Sequence, residues 1–275
     1  MRRLFTTADA LAAGMTEDAL AWGVRRGWWV RIVRGVYGEG PEPPSALDRE
    51  RAVVLARHTV ARGALGGVLL GLDSVFLDGR PTRGTAAAVA DVIEGVPCAS
   101  AAQILGDLAV VLDDDTWEQA MESALRNGLT TVAELEALRR PRARRVMARR
   151  PPGAPPTGSL LETLTVQLVR PIPLLGEPVR QYAVRWADGR FLAKLDLCWP
   201  TLGLFAELDG QHHEDQPVYD ASRETAVVAA TGWLPARFSW RQIVHFRAPR
   251  PAASRHSPNR PDVFVPKPRR TMASS

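Results

Sequence analysis

Lys194-Leu195-Asp196-Leu197-Cys198-Trp199, followed by Leu204-Phe205-Ala206-Glu207-Leu208-Asp209-Gly210-Gln211-His212-His213, decides how this chain is read. Both apolar stretches have strand character, and side chains alternate between the faces of a strand. Lys194 therefore shares a face with Asp196, and Glu207 shares one with Asp209. Glu207 ends the apolar run Leu204-Phe205-Ala206, where burying an unpaired carboxylate is costly. Gly210 permits a sharp turn into Gln211-His212-His213-Glu214-Asp215. Asp196 and Glu207 on neighbouring strands, with Asp209 and His212 or His213 close by, make an oxygen-rich group. Such a group suits Mg²⁺ or Mn²⁺ rather than zinc. A divalent site beside a phosphodiester can activate water and stabilise the leaving oxygen.

Working outward, Ser159 to Arg170 reads as an amphipathic helix with Leu160, Leu161, Leu164 and Leu168 inward. Val179 to Trp186 is a strand, Asp188-Gly189 a hairpin turn, and Arg190 to Trp199 the returning strand. Leu202 to Leu208 is a third strand, Tyr219 to Ala230 a helix, and Trp233 to Phe238 a fourth strand. A mixed sheet with helices on its faces is the natural packing of that order. Glu162 has two readings. It can close a capping box with Ser159, or it can reach a metal. Arg223 can pair with an acid of the site or with a phosphate. Trp186, Trp199, Trp233 and Trp240 read as core or rim aromatics, Cys198 as a packed thiol, and His58 and His245 as structural residues on apolar helical faces.

Asp196-Leu197, Glu207 through His213, Arg223, Gly232-Trp233 and Arg237 together resemble an actinobacterial endonuclease-like domain related to very-short-patch repair endonucleases, within the PD-(D/E)xK superfamily. The resemblance implies a restriction-endonuclease-like α/β core and divalent-metal-dependent cleavage of DNA. It implies Asp196 and Glu207 as metal ligands, with Glu162 matching the superfamily's first-helix acid. His213, preferred to His212, would move protons. The superfamily pattern has a lysine two residues after the third-strand acid, whereas this chain has Asp209. Lys194 is the candidate for the missing positive charge.

Residues 1–40 read as a winged helix-turn-helix. Thr7 caps Ala8 to Ala13, Gly14 stops it, Thr16 caps Glu17 to Arg26, and Gly27 stops that helix. Trp28 through Tyr37 is β-rich with a Gly-centred turn. The second helix would enter a major groove while wing arginines touch phosphate, which makes Arg25, Arg26, Arg31 and Arg34 candidate DNA contacts, with Arg223 as another. Thr6-Thr7-Ala8, Ala13-Gly14, Arg26-Gly27 and Arg34-Gly35-Val36-Tyr37 resemble the winged-helix domain of type IV abortive-infection antitoxins. Gly95 to Ser100 and Ala124 to Leu129 resemble the segment that follows it in fusions. Those antitoxins are DNA-binding repressors, and a toxin or other protein partner is left open.

Residues 41–138 read as mostly helical: Leu47 to Arg62, Ser100 to Leu112, a helix opened by the capping box Thr116-Trp117-Glu118-Gln119, and another at Thr131 to Glu134. Gly63 to Leu77 is Gly-rich and apolar, and Arg80 to Val96 has no clear period. Asp113-Asp114-Asp115 reads as a helix N-terminal charge cluster rather than a metal site. Residues 139–158 read as an Arg/Pro-rich linker, with seven arginines between Arg139 and Arg150 that can hold a DNA backbone. Residues 159–247 are the nuclease-like unit, and 248–275 a disordered tail.

The fold class expected is α/β, α+β overall. The 275 residues are 45% hydrophobic and 24% charged, which excludes wholesale disorder and a collagenous repeat. No stretch is long and apolar enough for a membrane span, and the interrupted N-terminus is not a signal peptide. Cys98 and Cys198 alone cannot form a disulfide framework, which points to a reducing cytoplasm. The net charge of +5 favours a polyanionic partner. Two functions follow as expectations: a Mg²⁺- or Mn²⁺-dependent DNA endonuclease or nickase delivered by a winged helix, or a non-enzymatic DNA-binding regulator of antitoxin type with a nuclease-like scaffold.

Overall fold

The structure, a computed structural model, describes residues 1–77, 88–209 and 217–247. The expected tail 248–275, His212 and His213 lie outside the described residues, as does part of Arg80 to Val96. The chain is a mixed α/β fold.

The N-terminal unit runs β1 (Leu4–Thr6), α1 (Thr7–Ala12), α2 (Glu17–Arg26), β2 (Trp29–Val33) and β3 (Val36–Glu39), with its three antiparallel strands in the order β1-β3-β2. The cap of α1 is Thr6, not Thr7. The Thr6 hydroxyl accepts the Asp9 N–H and the Asp9 carboxylate accepts the Thr6 N–H, a complete capping box. Thr16 caps α2 as read, and Gly27 ends it at φ 72°, a left-handed stop that suits glycine. The strand β1, too short to show alternation, was not legible in the sequence.

The middle region begins with α3 (Ala46–Ala56), which packs on all three N-terminal strands. It ends six residues before Arg62, and His58 follows, exposed at φ 51° rather than on an apolar face. The fully buried Arg51 donates to the carbonyls of Arg2 and Glu94, both at 2.9 Å. The Gly-rich passage contains a helix, α4 (Gly63–Leu69). A Cβ on Gly66 would lie 2.6 Å from Ile104 Cδ1, so the glycines that weaken the helical signal are what allow close packing. A hairpin follows, β4 (Asp91–Ile93) and β5 (Val96–Cys98), then α5 (Ala101–Val111), α6 (Asp114–Arg126), α7 (Val132–Glu136) and α8 (Pro141–Met147). The cap of α6 is Asp113, one turn earlier than the capping box in the sequence suggests.

The Arg/Pro-rich stretch holds a packed helix rather than a free tether. Ala143 and Val146 of α8 are buried in the largest core cluster, beside Trp117 and Met121 of α6. Asp114 accepts hydrogen bonds from Arg142, Arg145 and Arg149, and these arginines hold its pKa down at about 2. Arg150 pairs with the buried Glu122 at 3.2 Å. Four of the seven arginines therefore have protein partners, which weakens the reading of this run as a phosphate track.

The C-terminal unit is α9 (Leu160–Val169), β6 (Val179–Arg185), β7 (Phe191–Trp199), β8 (Leu204–Asp209), α10 (Pro217–Thr231), β9 (Leu234–Ser239) and α11 (Trp240–Arg247). Its sheet is mixed, order β6-β7-β8-β9, with only β8 and β9 parallel. Val227 of α10 packs on Ala193, Leu195 and Phe205, while Val166 and Val169 of α9 pack with Leu197 and Ala206. Helix α11 carries His245, which is exposed rather than on an apolar face.

A buried polar seam joins α6 to α9 and β6. Glu122 accepts from Arg180 at 2.6 Å and from the Thr157 N–H at 3.1 Å. Glu118 accepts from Arg170 at 2.7 and 3.0 Å, and Gln119 bonds Gln167 at 2.9 Å. Arg170 and Arg180 also share Glu177.

Candidate functional site

Two sites emerge from these elements. The first is a cavity of about 550 Å³ on the C-terminal sheet, lined by Glu162 of α9, Lys194 and Asp196 of β7, Glu207 and Asp209 of β8, Arg223 and Glu224 of α10, and Arg237 of β9. Every described acid named from the sequence for this site, and Lys194, thus borders one space.

The backbone explains the opening. The β7–β8 ladder pairs Trp199 with Leu204, Cys198 with Phe205 and Leu197 with Ala206, and stops there. One step further the Asp196 carboxylate itself accepts the Leu208 N–H at 3.0 Å. On the other side of β7, pairing passes from Arg180–Leu197 to Tyr182–Leu195, and the intervening Gln181 has φ 51°. Period-two alternation is therefore broken at Asp196. Lys194 and Asp196 meet in the cavity beside a strand irregularity, not on one face of a regular strand.

The electrostatics follow from burial. Desolvation raises the pKa of Asp196, against the lowering effects of the Leu208 N–H, Arg223 and Lys194. Burial and then repulsion from Asp196 push Glu207 up to about 7, although Arg223 donates to its Oε1 at 2.8 Å. Burial and the same Asp196 raise Glu162. Asp209 is more open and pairs with Arg237 at 3.6 Å.

Ser159 caps α9, but the capping box is not closed through the Ser159 N–H: the Glu162 carboxylate takes the N–H of the preceding residue, Gly158. The Glu162 N–H donates to Ser159 Oγ at 3.1 Å, and its Oε2 accepts the Gly158 N–H at 2.7 Å and Gln181 Nε2 at 2.8 Å. It also borders the cavity, so capping and site geometry coincide. Gln181, which steadies this carboxylate, was missed in the sequence. Its signal is a positive φ that sequence patterning does not reveal.

Among the described residues, no group of three or more His, Cys, Asp or Glu is placed to hold a metal ion. The donors of the cavity are nonetheless carboxylate oxygens, the right type for a hard cation. Mg²⁺ characteristically takes only one or two of them and keeps its remaining waters. Two desolvated acids whose charges repel are relieved by a cation, so Asp196 and Glu207 fit that group by chemistry.

One consequence concerns stability in chelator. An acid whose native pKa is raised stabilises the fold below its unfolded pKa, and that contribution is lost as pH rises through about 7. Glu207→Gln removes the cost of ionising the group. The variant is expected to be more stable than the parent at pH 8 by on the order of 1–3 kcal/mol, allowing for the lost Arg223 pair, and indistinguishable from it near pH 5. Melting curves at the two pH values check this; an unchanged or lowered melting point at pH 8 would contradict it.

The second site is the outer face of the N-terminal unit. Arg25 and Arg26 of α2, Arg31 of β2 and Arg34 of the β2–β3 turn are all exposed. Among the described residues none of them has an ion-pair partner, whereas Arg2 and Arg3 are held by Glu42 and Glu39. Trp29 anchors α2 from beneath. Its indole N–H donates to the Leu20 carbonyl at 2.9 Å, and its ring lies where a Cβ on Gly23 would fall 2.0 Å away. Arg223, named with these four, lies instead at the carboxylate cavity.

Among the described residues, no helix is long and apolar enough to cross a membrane. No curated protein and no solved structure matches the chain. Residues 1–39 match the family model described as "Transcriptional regulator, AbiEi antitoxin", so the part of the chain that is similar to that family is the winged-helix unit.

Proposed function

We propose that this protein binds duplex DNA through its first 39 residues, as a transcriptional regulator of antitoxin type. The observation that carries the reading is the set of four unpaired, exposed arginines on α2 and the wing of a unit similar to an antitoxin regulator. In this arrangement α2 enters the major groove and Arg31 and Arg34 fix its register on phosphates. Replacing Arg25, Arg26, Arg31 and Arg34 by alanine together is expected to weaken binding to a fluorescent duplex about tenfold or more at moderate salt, since each lost phosphate contact gives up counterion release. Fluorescence anisotropy reads this, and equal affinities would contradict it.

A second reading, hydrolysis of phosphodiester bonds in the carboxylate cavity, is favoured by the convergence of Asp196, Glu207, Glu162 and Lys194 on one space. Asp196 and Glu207 would hold Mg²⁺ or Mn²⁺. When bound, the cation supplies Lewis-acid polarisation of a phosphoryl oxygen and a more acidic water. The chain's own residues would do the rest. The exposed Lys194 ammonium would attract the phosphate to the cavity mouth, and Arg223 would offset the charge of Glu207. Glu162 keeps the N-terminus of α9 fixed beside Asp196. Nicking of supercoiled plasmid with and without Mn²⁺ tests this reading. A protein that shifts DNA in a gel without cutting it is a regulator alone.

A further inference from the structure

An aromatic–arginine plate occupies the outer face of α2, and arginine phosphate contacts do not account for it. Trp22 is 40% exposed and Trp28 55% exposed, large for apolar side chains on a small unit. They are ordered by a chain of contacts. Trp29 is locked under α2, Trp28 meets Trp29 at 5.9 Å between ring centroids, and Trp28 meets Trp22 edge-on at 4.6 Å and 90°. The guanidinium of Arg26, one turn along, sits 5.1 Å above the Trp22 ring. Trp22 and Arg26 are i and i+4 on the helix, and the buried Leu20 lies on the side away from Trp22. Trp22 therefore belongs to the exposed face of α2, together with Arg25 and Arg26.

We infer that Trp22 reads the 5-methyl group of thymine in the major groove, with Arg26 aligned to the O6 and N7 of a neighbouring guanine. This rests on the DNA-binding reading above and adds its base preference. The chemistry is direct. The thymine methyl is the one apolar feature of the major-groove edge, and guanine presents two acceptors that match a guanidinium fork. A stacked guanidinium is already oriented, so less freedom is lost when it bonds. Four exposed arginines without ion-pair partners among the described residues, on the same small unit, suit a nucleic acid better than an apolar protein partner, which would have to desolvate them.

The test uses the full chain and duplexes enriched from a random pool by gel shift, then re-amplified with dUTP in place of dTTP. Uracil lacks only the methyl group. The parent protein is expected to bind the thymine pool about three- to fourfold more tightly than the uracil pool, the worth of one buried methyl. Trp22→Ala, at an exposed position, is expected to bind both pools equally while keeping the melting temperature of the parent. Re-amplification with 7-deaza-dGTP should weaken the parent and leave Arg26→Ala unchanged. If the parent binds thymine and uracil pools equally, Trp22 does not read the methyl and the inference fails while DNA binding stands. If no duplex is enriched at all, the DNA-binding reading fails with it.

Discussion

On the hydrolytic reading of the carboxylate cavity, Asp196→Ala is expected to slow any nicking of supercoiled plasmid that needs Mn²⁺ by at least about 100-fold, while leaving duplex binding within about twofold. Asp196 sits between the two other buried acids, is the source of repulsion raising both, and is hydrogen-bonded to the backbone of β8 at 3.0 Å. Lewis-acid stabilisation is worth several kcal/mol, and each 1.36 kcal/mol is about a factor of ten in rate. Loss of the carboxylate also frees the Leu208 N–H, so Asp196→Asn serves as the near-isosteric control. It is expected to lose the same activity with a smaller change in melting temperature. Cleavage that survives both substitutions would remove the hydrolytic reading from this cavity.

Glu122→Ala is expected to destabilise the chain by about 3–5 kcal/mol, a fall in melting temperature of roughly 6–20 °C. Glu122 is fully buried and holds Arg180, Arg150 and the Thr157 N–H. Its removal leaves two guanidinium groups short of a counter-ion, and breaking one side of a buried pair is the costly case. Asp188→Ala is the contrast. Its pair with Arg190 is open to solvent, 78% and 52% exposed for the two side chains, so the expected loss is about 0.5 kcal/mol or less. Equal effects of the two substitutions in thermal melts would mean that the α6 seam does not hold the middle region to the C-terminal sheet.

The local signals were legible. Thr16 and Gly27 bracket α2, Asp188-Gly189 turns the β6–β7 hairpin, and apolar patterning marks β7 and β8, because each depends on neighbours a few residues apart. That placed Asp196, Glu207 and Lys194 close together before any fold was known. Long-range decisions were not legible. Glu118 is an ordinary position inside the Thr116–Gln119 stretch in the sequence but is buried against Arg170, 52 residues away. Arg142 to Arg150 read as linker charge until Asp114 and Glu122 are seen to hold four of them. Gly66 and Gly67 resemble a loop because the side chains that require them, Ile104 and Val75, lie outside their helix.

Binding to duplex DNA by the winged-helix arginines is the claim on which the rest depends, and its salt dependence is the most direct measurement. Affinity for a fixed duplex is measured between low and moderate NaCl for the parent and for the variant with Arg25, Arg26, Arg31 and Arg34 replaced by alanine. The slope of log K against log salt is expected to become shallower by about 2–4 in the variant, close to one for each phosphate contact removed. The same slope in both proteins would show that the DNA, if held at all, is held elsewhere on the chain.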